Sequence, residues 1–153
     1  MEIELRDPEQ QGGFGARLAG YLPVPCVLFL EGDLGAGKTT LTRGMLRGLG
    51  HVGAVRSPTY TLLEPYDLGS LQLYHLDLYR LGDPEELEYL GLRDLMRDDA
   101  IWVVEWPERG VGLLPPPDLR IRIAHLTAGR RLALSAESAI GEEVLCRLGR
   151  SPD

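Results

Sequence analysis

The chain has 153 residues, of which 44% are hydrophobic and 25% charged, a composition typical of a globular protein with a packed core. Its formal net charge of −7 argues against a surface that binds nucleic acid directly, because neutralising phosphates requires clustered basic residues. No apolar run reaches membrane length, no secretory signal pattern is present, and the two cysteines, far apart in sequence, fit a reducing compartment. We therefore expect a single domain over residues 1–153, in the cytoplasm.

The first elements are an edge strand and a helix. Ile3 and Leu5 alternate with glutamates, which predicts a short edge strand. Asp7 and Pro8 are typical of the N-cap and first position of a helix, which we expect to run toward Leu22. Three glycines in this segment lower its helix propensity. Either packing or a ligand must therefore favour small residues there.

A glycine-rich motif follows this helix. Residues 32–39 read Gly-Asp-Leu-Gly-Ala-Gly-Lys-Thr and match the phosphate-binding P-loop pattern G-x-x-x-x-G-K-[ST]. The apolar run at 26–30 predicts a buried strand before the motif, and Leu41, Met45 and Leu49 share one face of a helix after it. In such an arrangement the backbone N–H groups of the loop and the helix N-terminus bind phosphate.

The motif predicts a nucleotide-binding role for its residues. Lys38 would contact the outer phosphates, and the hydroxyl of Thr39 would ligate Mg²⁺. Lys38 is also the only lysine in the chain, since the other fifteen basic residues are arginines. The remaining nucleotide-binding candidates of the segment are Asp33, Leu34, Gly35, Ala36, Gly37 and Thr40.

The second half of the chain predicts a mixed sheet. Its elements are a turn at 57–62 leading into a strand, a strand at 71–76, a helix at 83–95, a strand at 101–104, a hairpin of 119–124 and 131–136, and a helix at 139–148. The first two strands form one hairpin and residues 119–136 another, so antiparallel pairs accompany the parallel ones. The predicted fold class is α/β, a three-layer fold like that of P-loop NTPases with a mixed, parallel and antiparallel, central sheet.

Two carboxylates stand where apolar strands end. Asp77 follows Leu76, and Glu105 follows Val104. A carboxylate at the carboxyl end of a strand beside a P-loop holds Mg²⁺ or orients the attacking water. Asp77 and Glu105 are therefore the candidate catalytic residues and, with Thr39, the candidate metal ligands. The alternative for each carboxylate is a solvated strand end.

Other residues have two open interpretations. Thr59 would sense Mg²⁺ or the γ-phosphate as a switch loop does, or it simply belongs to a turn. Trp106 would stack near the nucleotide or pack beside Glu105, whereas the position of His75 within a strand favours a structural role. The chain contains no asparagine and no second lysine, so an N-K-x-D or T-K-x-D guanine reader is impossible. We therefore expect ATP rather than GTP.

Four motifs, taken in order, resemble those of the bacterial TsaE family, small P-loop ATPases of tRNA threonylcarbamoyladenosine biosynthesis. They are Leu-Glu-Gly-Asp-Leu-Gly-Ala-Gly-Lys-Thr at 30–39, Ser-Pro-Thr-Tyr-Thr-Leu at 57–62, Tyr-His-Leu-Asp-Leu-Tyr-Arg at 74–80 and Glu-Trp-Pro-Glu at 105–108. The last three in this order are specific to that family. The match spans essentially the whole domain.

The resemblance implies an ATPase that acts with TsaD and TsaB. Together they would place a threonylcarbamoyl group on the adenosine next to the anticodon of certain tRNAs. This chain would hydrolyse ATP without performing the transfer, and it would meet tRNA only indirectly, with neither DNA nor membrane as a partner. Two alternatives remain open: a small-molecule kinase, for which the chain has little length left, and a nucleotide-gated binding module in which hydrolysis is incidental.

The resemblance also implies roles for single residues. It assigns the phosphates and Mg²⁺ to Lys38 and Thr39, a switch-like loop to Thr59, and metal and water to Asp77 and Glu105. Gln11 stands near the nucleotide base, where the family often has a threonine in its first helix.

Overall fold

The computed structural model describes residues 1–58, 60–96 and 99–150. In chain order their elements are β1 (Glu2–Leu5), α1 (Pro8–Ala19), β2 (Cys26–Glu31), α2 (Lys38–Gly48), β3 (Leu63–Asp67), β4 (Gln72–Asp77), α3 (Glu86–Tyr89), α4 (Leu92–Leu95), β5 (Ala100–Glu105), a 3-10 helix (Pro107–Gly110), β6 (Leu119–His125), β7 (Arg130–Ala136) and α5 (Ala139–Arg150). None of the helices among these residues is long and apolar enough to cross a membrane.

The strands form one seven-stranded sheet in the order β1-β7-β6-β2-β5-β4-β3. The four central strands, β6, β2, β5 and β4, run parallel to one another. The outer strands pair antiparallel, β7 with β6, β1 with β7, and β3 with β4. The predicted α/β class with a mixed sheet is therefore confirmed, and both predicted hairpins are present.

The helix predicted at 83–95 was wrong in its length. The structure has two four-residue helices there, α3 and α4, separated by Leu90 and Gly91. Gly91 has φ of 73°, a left-handed conformation that ends the first helix. The leucine spacing suggested one long amphipathic helix, but two short helices present Leu87 and Leu92 to the same apolar cluster.

Alternation along the central strands divides the core into two layers. Leu28, Leu30, Ile101 and Val103 pack on one face of the sheet, in the cluster that includes residues of α1, α2 and α5. The intervening side chains face the other layer, which α3 and α4 cover; examples are Phe29, Trp102 and Val104. The face covered by α1 and α2 is the one that carries the candidate site.

The beginning of α1 follows the prediction. Asp7 caps the helix by accepting a hydrogen bond from the Gln10 backbone N–H at 2.8 Å, and Pro8 is the first helical residue. The helix ends at Ala19, three residues before the predicted Leu22.

Small residues allow α1 and α2 to cross closely. A Cβ placed on Gly44 of α2 would lie 2.1 Å from the carbonyl oxygen of Gly12 in α1. One on Gly15 would lie 2.5 Å from the Leu41 carbonyl, and one on Gly48 would lie 2.7 Å from Ala16. The atoms in the way belong to the backbone, which cannot yield as a flexible side chain can. Packing of these two helices therefore explains the glycine at position 15 of α1, whereas a Cβ on Gly12 or Gly13 would meet no atom within 4 Å.

We expect Gly44→Ala to lower the free energy of unfolding by about 1–3 kcal/mol, because the added methyl group forces α1 away from α2. Gly13→Ala is the matched control, since Gly13 is exposed and a Cβ there has no neighbour within 4 Å. In the control, alanine should raise stability by up to about 1 kcal/mol through helix propensity. Urea unfolding of both variants tests this, and equal stabilities would contradict the close crossing.

Candidate functional site

The candidate site lies where β2, β4 and β5 end at one edge of the sheet. The glycine loop, residues 32–37, connects β2 to α2 at this edge. Because these strands are parallel, their carboxyl ends and the N-terminus of α2 come together. The site therefore combines one loop, one helix end and the last residues of two further strands.

The glycine loop depends on backbone conformations that favour glycine. Gly35 and Gly37 have φ of 78° and 99°, both in the left-handed region. A Cβ on Gly37 would also lie 2.4 Å from Nε2 of Gln11. Gly37 directly precedes α2, so the turn aims the first N–H groups of that helix into the loop.

Lys38, the first residue of α2, is 5% exposed. Its Nζ donates hydrogen bonds to the carbonyl oxygens of Gly32 at 2.6 Å and Asp33 at 3.0 Å, and it lies 4.7 Å from the ring centroid of Trp106. Burial lowers the pKa of the Lys38 ammonium below its usual value, while nearby carboxylates, Glu105 first among them, oppose the shift. The structure thus holds a desolvated cation at the start of the helix.

Asp77 and Glu105 are neighbours across β4 and β5. They are partners in the parallel register, and they are 6% and 3% exposed. The Tyr79 backbone N–H donates to Oδ1 of Asp77 at 3.0 Å. Nε2 of His75 lies 2.5 Å from Oε2 of Glu105. The solvated strand ends considered as an alternative are therefore excluded for both carboxylates.

These groups line a cavity of about 290 Å³, which we call the site cavity. Its lining residues are Leu34, Gly35, Gly37, Lys38, Thr39, Thr40, Ser57, Asp77, Glu105 and Trp106. Nine of the sequence candidates therefore line this cavity, including both carboxylates. Ser57, which also lines it, was not a candidate, although it begins the predicted turn at 57–62.

The three remaining described candidates lie elsewhere around the glycine loop. Asp33 and Ala36 belong to the loop but do not line the site cavity; Ala36 is fully buried. Gln11 donates from Nε2 to the carbonyl oxygen of Gly37 at 2.8 Å, on the side of the loop that faces α1. Thr59 lies outside the described residues.

A second cavity, of about 160 Å³, adjoins the loop on the α1 side. Gln11 and Arg130 are among its lining residues. Arg130 donates from Nε to the Ala36 carbonyl at 3.2 Å and from a terminal nitrogen to the Gly35 carbonyl at 3.3 Å. Arg130 was not a candidate, because no local pattern in the sequence shows that β7 begins beside residues 35 and 36.

Trp106 closes one side of the site cavity. Its backbone has φ of 56°, a left-handed conformation that is uncommon for a large residue. The ring packs 5.0 Å from that of Tyr79 as well as beside Lys38. Trp102, four residues earlier, is 4% exposed and packs against Tyr74 in the other layer of the core. The two tryptophans therefore sense different surroundings.

Comparison with known proteins identifies the family. Residues 5–133 match the family model "Threonylcarbamoyl adenosine biosynthesis protein TsaE". The chain is 50% identical over 119 residues to the tRNA threonylcarbamoyladenosine biosynthesis protein TsaE of Haemophilus influenzae, covering 78% of this chain and 75% of the relative. It is 42% identical over 117 residues to the protein of the same name from Bacillus subtilis, covering 76% and 73%.

A solved structure agrees with these relatives. The crystal structure of YdiB from Bacillus subtilis superposes with a TM-score of 0.82 at 33% identity, covering 98% of this chain and 94% of that one. The structural comparison and the sequence comparisons therefore agree, and the similarity extends over most of the chain. The chain belongs to the TsaE family of threonylcarbamoyl adenosine biosynthesis proteins.

Proposed function

We propose that this chain binds ATP with Mg²⁺ in the site cavity and hydrolyses it in concert with TsaD and TsaB during threonylcarbamoyladenosine formation in tRNA, in the cytoplasm. One observation carries the proposal. The buried pair Asp77 and Glu105 shares a cavity with Lys38 and the N-terminus of α2. Buried carboxylates beside a lysine and a helix N-terminus are the parts that phosphoryl transfer to water requires.

Lys38 and the glycine loop would bind the phosphates. The Nζ of Lys38 would exchange the carbonyl oxygens of Gly32 and Asp33 for phosphate oxygens. Binding an anion would also offset the desolvation that lowers the Lys38 pKa. The backbone N–H groups at the start of α2 would supply further hydrogen bonds, favoured by the helix dipole.

The donor set fits a magnesium ion. Thr39, Asp77 and Glu105 bring one hydroxyl and two carboxylates to the cavity, and Mg²⁺ prefers oxygen ligands. Among the described residues no group of three or more His, Cys, Asp or Glu side chains forms a metal cluster. That agrees with the usual mode of Mg²⁺, which is held by one or two carboxylates together with phosphate oxygens and water. When bound, it would neutralise charge on the phosphates.

The two carboxylates would divide the remaining work. One would hold the metal shell, and the other would accept a hydrogen bond from the attacking water and orient it toward the γ-phosphate. Trp106 would cover the phosphates and limit access of other water molecules. We assign the base to the second cavity, where Gln11 also supports the glycine loop through the Gly37 carbonyl.

Tryptophan fluorescence tests the binding part of this proposal. We expect ATP to change the emission of Trp106, which lines the cavity, in a Trp102→Phe variant. The reverse variant, Trp106→Phe, should respond much less, because Trp102 is buried and does not line the site cavity. Titration with GTP should give weaker binding than ATP. Equal responses from both variants, or tighter binding of GTP, would contradict the assignment.

Phosphate release tests the reaction. With no added acceptor, this chain should release phosphate slowly from ATP, which a small-molecule kinase would not do. The rate should rise when TsaD, TsaB and substrate tRNA are supplied, and a mixture lacking this chain should fail to sustain modification. Sustained modification without ATP hydrolysis would favour the nucleotide-gated binding module instead.

A further inference from the structure

A buried histidine outside the cavity lining contacts Glu105. The side chain of His75 is fully buried, and that of Glu105 is 4% exposed. Nε2 of His75 lies 2.5 Å from Oε2 of Glu105. Such a short, shielded contact between two polar groups is a directed hydrogen bond, and it is stronger than the same contact in water.

The sheet register creates this contact. On β4 and β5, His75 pairs with Val103 and Asp77 with Glu105. Alternate residues of a strand point to the same face, so His75 is the diagonal neighbour of Glu105 on the face that carries the site. The strand that supplies Asp77 therefore also supplies the hydrogen-bond partner of Glu105.

The contact with Glu105 and the surroundings of the ring distinguish the two nitrogens of His75. An ionised carboxylate can only accept a hydrogen bond, so we assign the hydrogen of this contact to Nε2 of His75. The other ring nitrogen, Nδ1, is buried and has no hydrogen-bond partner among the residues that the structure describes. A leucine would fill this place without an unsatisfied polar atom. Packing alone therefore does not account for a histidine here.

We infer that His75 is a positioning residue for Glu105, an inference that rests on the proposed ATPase function. A glutamate side chain has three rotatable bonds, and fixing Oε2 leaves Oε1 as the oxygen available to the site cavity. Oε1 makes no hydrogen bond to any described residue. Asp77 is anchored differently, through its own Oδ1 and the backbone of Tyr79. His75 thus gives the longer carboxylate the orientation that the shorter one obtains locally.

Kinetics of three variants test the inference. His75→Leu should slow single-turnover ATP hydrolysis about 10–100-fold, because displacing a reacting group reduces the rate by that much. The ATP affinity, read from Trp106 emission, should change less than about threefold, since His75 does not line the cavity. His75→Gln should recover most of the rate, because its amide nitrogen lies near the place of Nε2. His125→Gln, an exposed histidine lining neither cavity, is the matched control and should behave as wild type.

Two comparisons separate positioning from stability. The double variant His75→Leu with Glu105→Gln should hydrolyse ATP no more slowly than Glu105→Gln alone, because His75 acts only through Glu105. If His75→Leu does not fold, His75→Asn replaces it, since its shorter side chain keeps a polar group but cannot reach Oε2. A wild-type rate in His75→Leu or His75→Asn, or additive losses in the double variant, would overturn the inference while leaving the ATPase proposal intact.

A nucleotide-free readout completes the test. In ¹⁵N spectra of the histidine ring, Nε2 of His75 should carry a strongly hydrogen-bonded proton, and Glu105→Ala should shift that proton upfield. An Nε2 without hydrogen, or a signal indifferent to Glu105→Ala, would overturn the contact itself. If wild-type protein with TsaD and TsaB hydrolyses no ATP, the ATPase proposal fails, and the positioning role of His75 in hydrolysis fails with it. The ring signal still reports whether His75 and Glu105 are hydrogen-bonded.

Discussion

Glu105→Gln should bind ATP while its hydrolysis falls by about two to four powers of ten, the range for loss of a group acting in proton transfer. The substitution keeps the shape of the side chain and one hydrogen-bonding oxygen but removes the negative charge. Glu105 is buried, so no solvent ion replaces that charge. The measurement is single-turnover hydrolysis together with ATP affinity at several Mg²⁺ concentrations.

The same experiment distinguishes the two carboxylates. If Glu105 orients water, affinity should be unchanged, whereas a metal anchor would lose Mg²⁺-dependent affinity as well. Asp77→Asn should show whichever behaviour Glu105→Gln does not. Glu143→Gln makes the same chemical change on the exposed surface of α5 and should leave both quantities unaltered. With TsaD, TsaB and tRNA, the Glu105→Gln variant should fail to sustain tRNA modification. Normal rates of both ATP hydrolysis and tRNA modification would exclude Glu105 from the mechanism.

Lys38→Ala should lose most ATP affinity, by about 10–100-fold or more, because charge-assisted hydrogen bonds contribute roughly 1.5–3 kcal/mol each. Arg43→Ala is the matched control. It removes one positive charge from an exposed position on the same helix and should retain binding. Titration of both variants with ATP gives the comparison. Unchanged binding and turnover in a folded Lys38→Ala protein would contradict the assignment of the phosphate site.

The fold should survive loss of Lys38, because the lowered pKa of its ammonium shows that burying this charge opposes folding. Burial lowers the pKa of Lys38 in the folded protein, so the protonated form is less favourable there than in the unfolded chain. The resulting free-energy penalty on folding is complete at pH values below the pKa of Lys38 in the folded protein. It disappears as pH rises from that value to the pKa of lysine in the unfolded chain. Removing the ammonium at neutral pH should therefore change the melting temperature little, because the relief of its desolvation offsets the loss of its hydrogen bonds to Gly32 and Asp33.

Local pattern was sufficient for the parts of the protein that depend on neighbouring residues. The glycine loop, the strand before it and the helix after it were all predicted, because glycine placement and apolar periodicity act within about twenty residues. The Asp7 cap and the two hairpins are local for the same reason. The mixed sheet followed from the hairpins.

Contacts between distant segments were decided by the tertiary structure. The close crossing of α1 and α2 at Gly44 depends on which surfaces the two helices must cover, and this information is not periodic in the sequence. Arg130 reaches the glycine loop because β7 lies beyond β6 at the same edge of the sheet.

The same distinction holds within the site. That Asp77 and Glu105 end strands was visible in the sequence, but their adjacency required β4 and β5 to be neighbours in register. His75 belonged to the predicted strand and was interpreted as structural. Only the register places it beside Glu105, 30 positions away, because a carboxylate can select a partner across a sheet without leaving any local pattern in the chain.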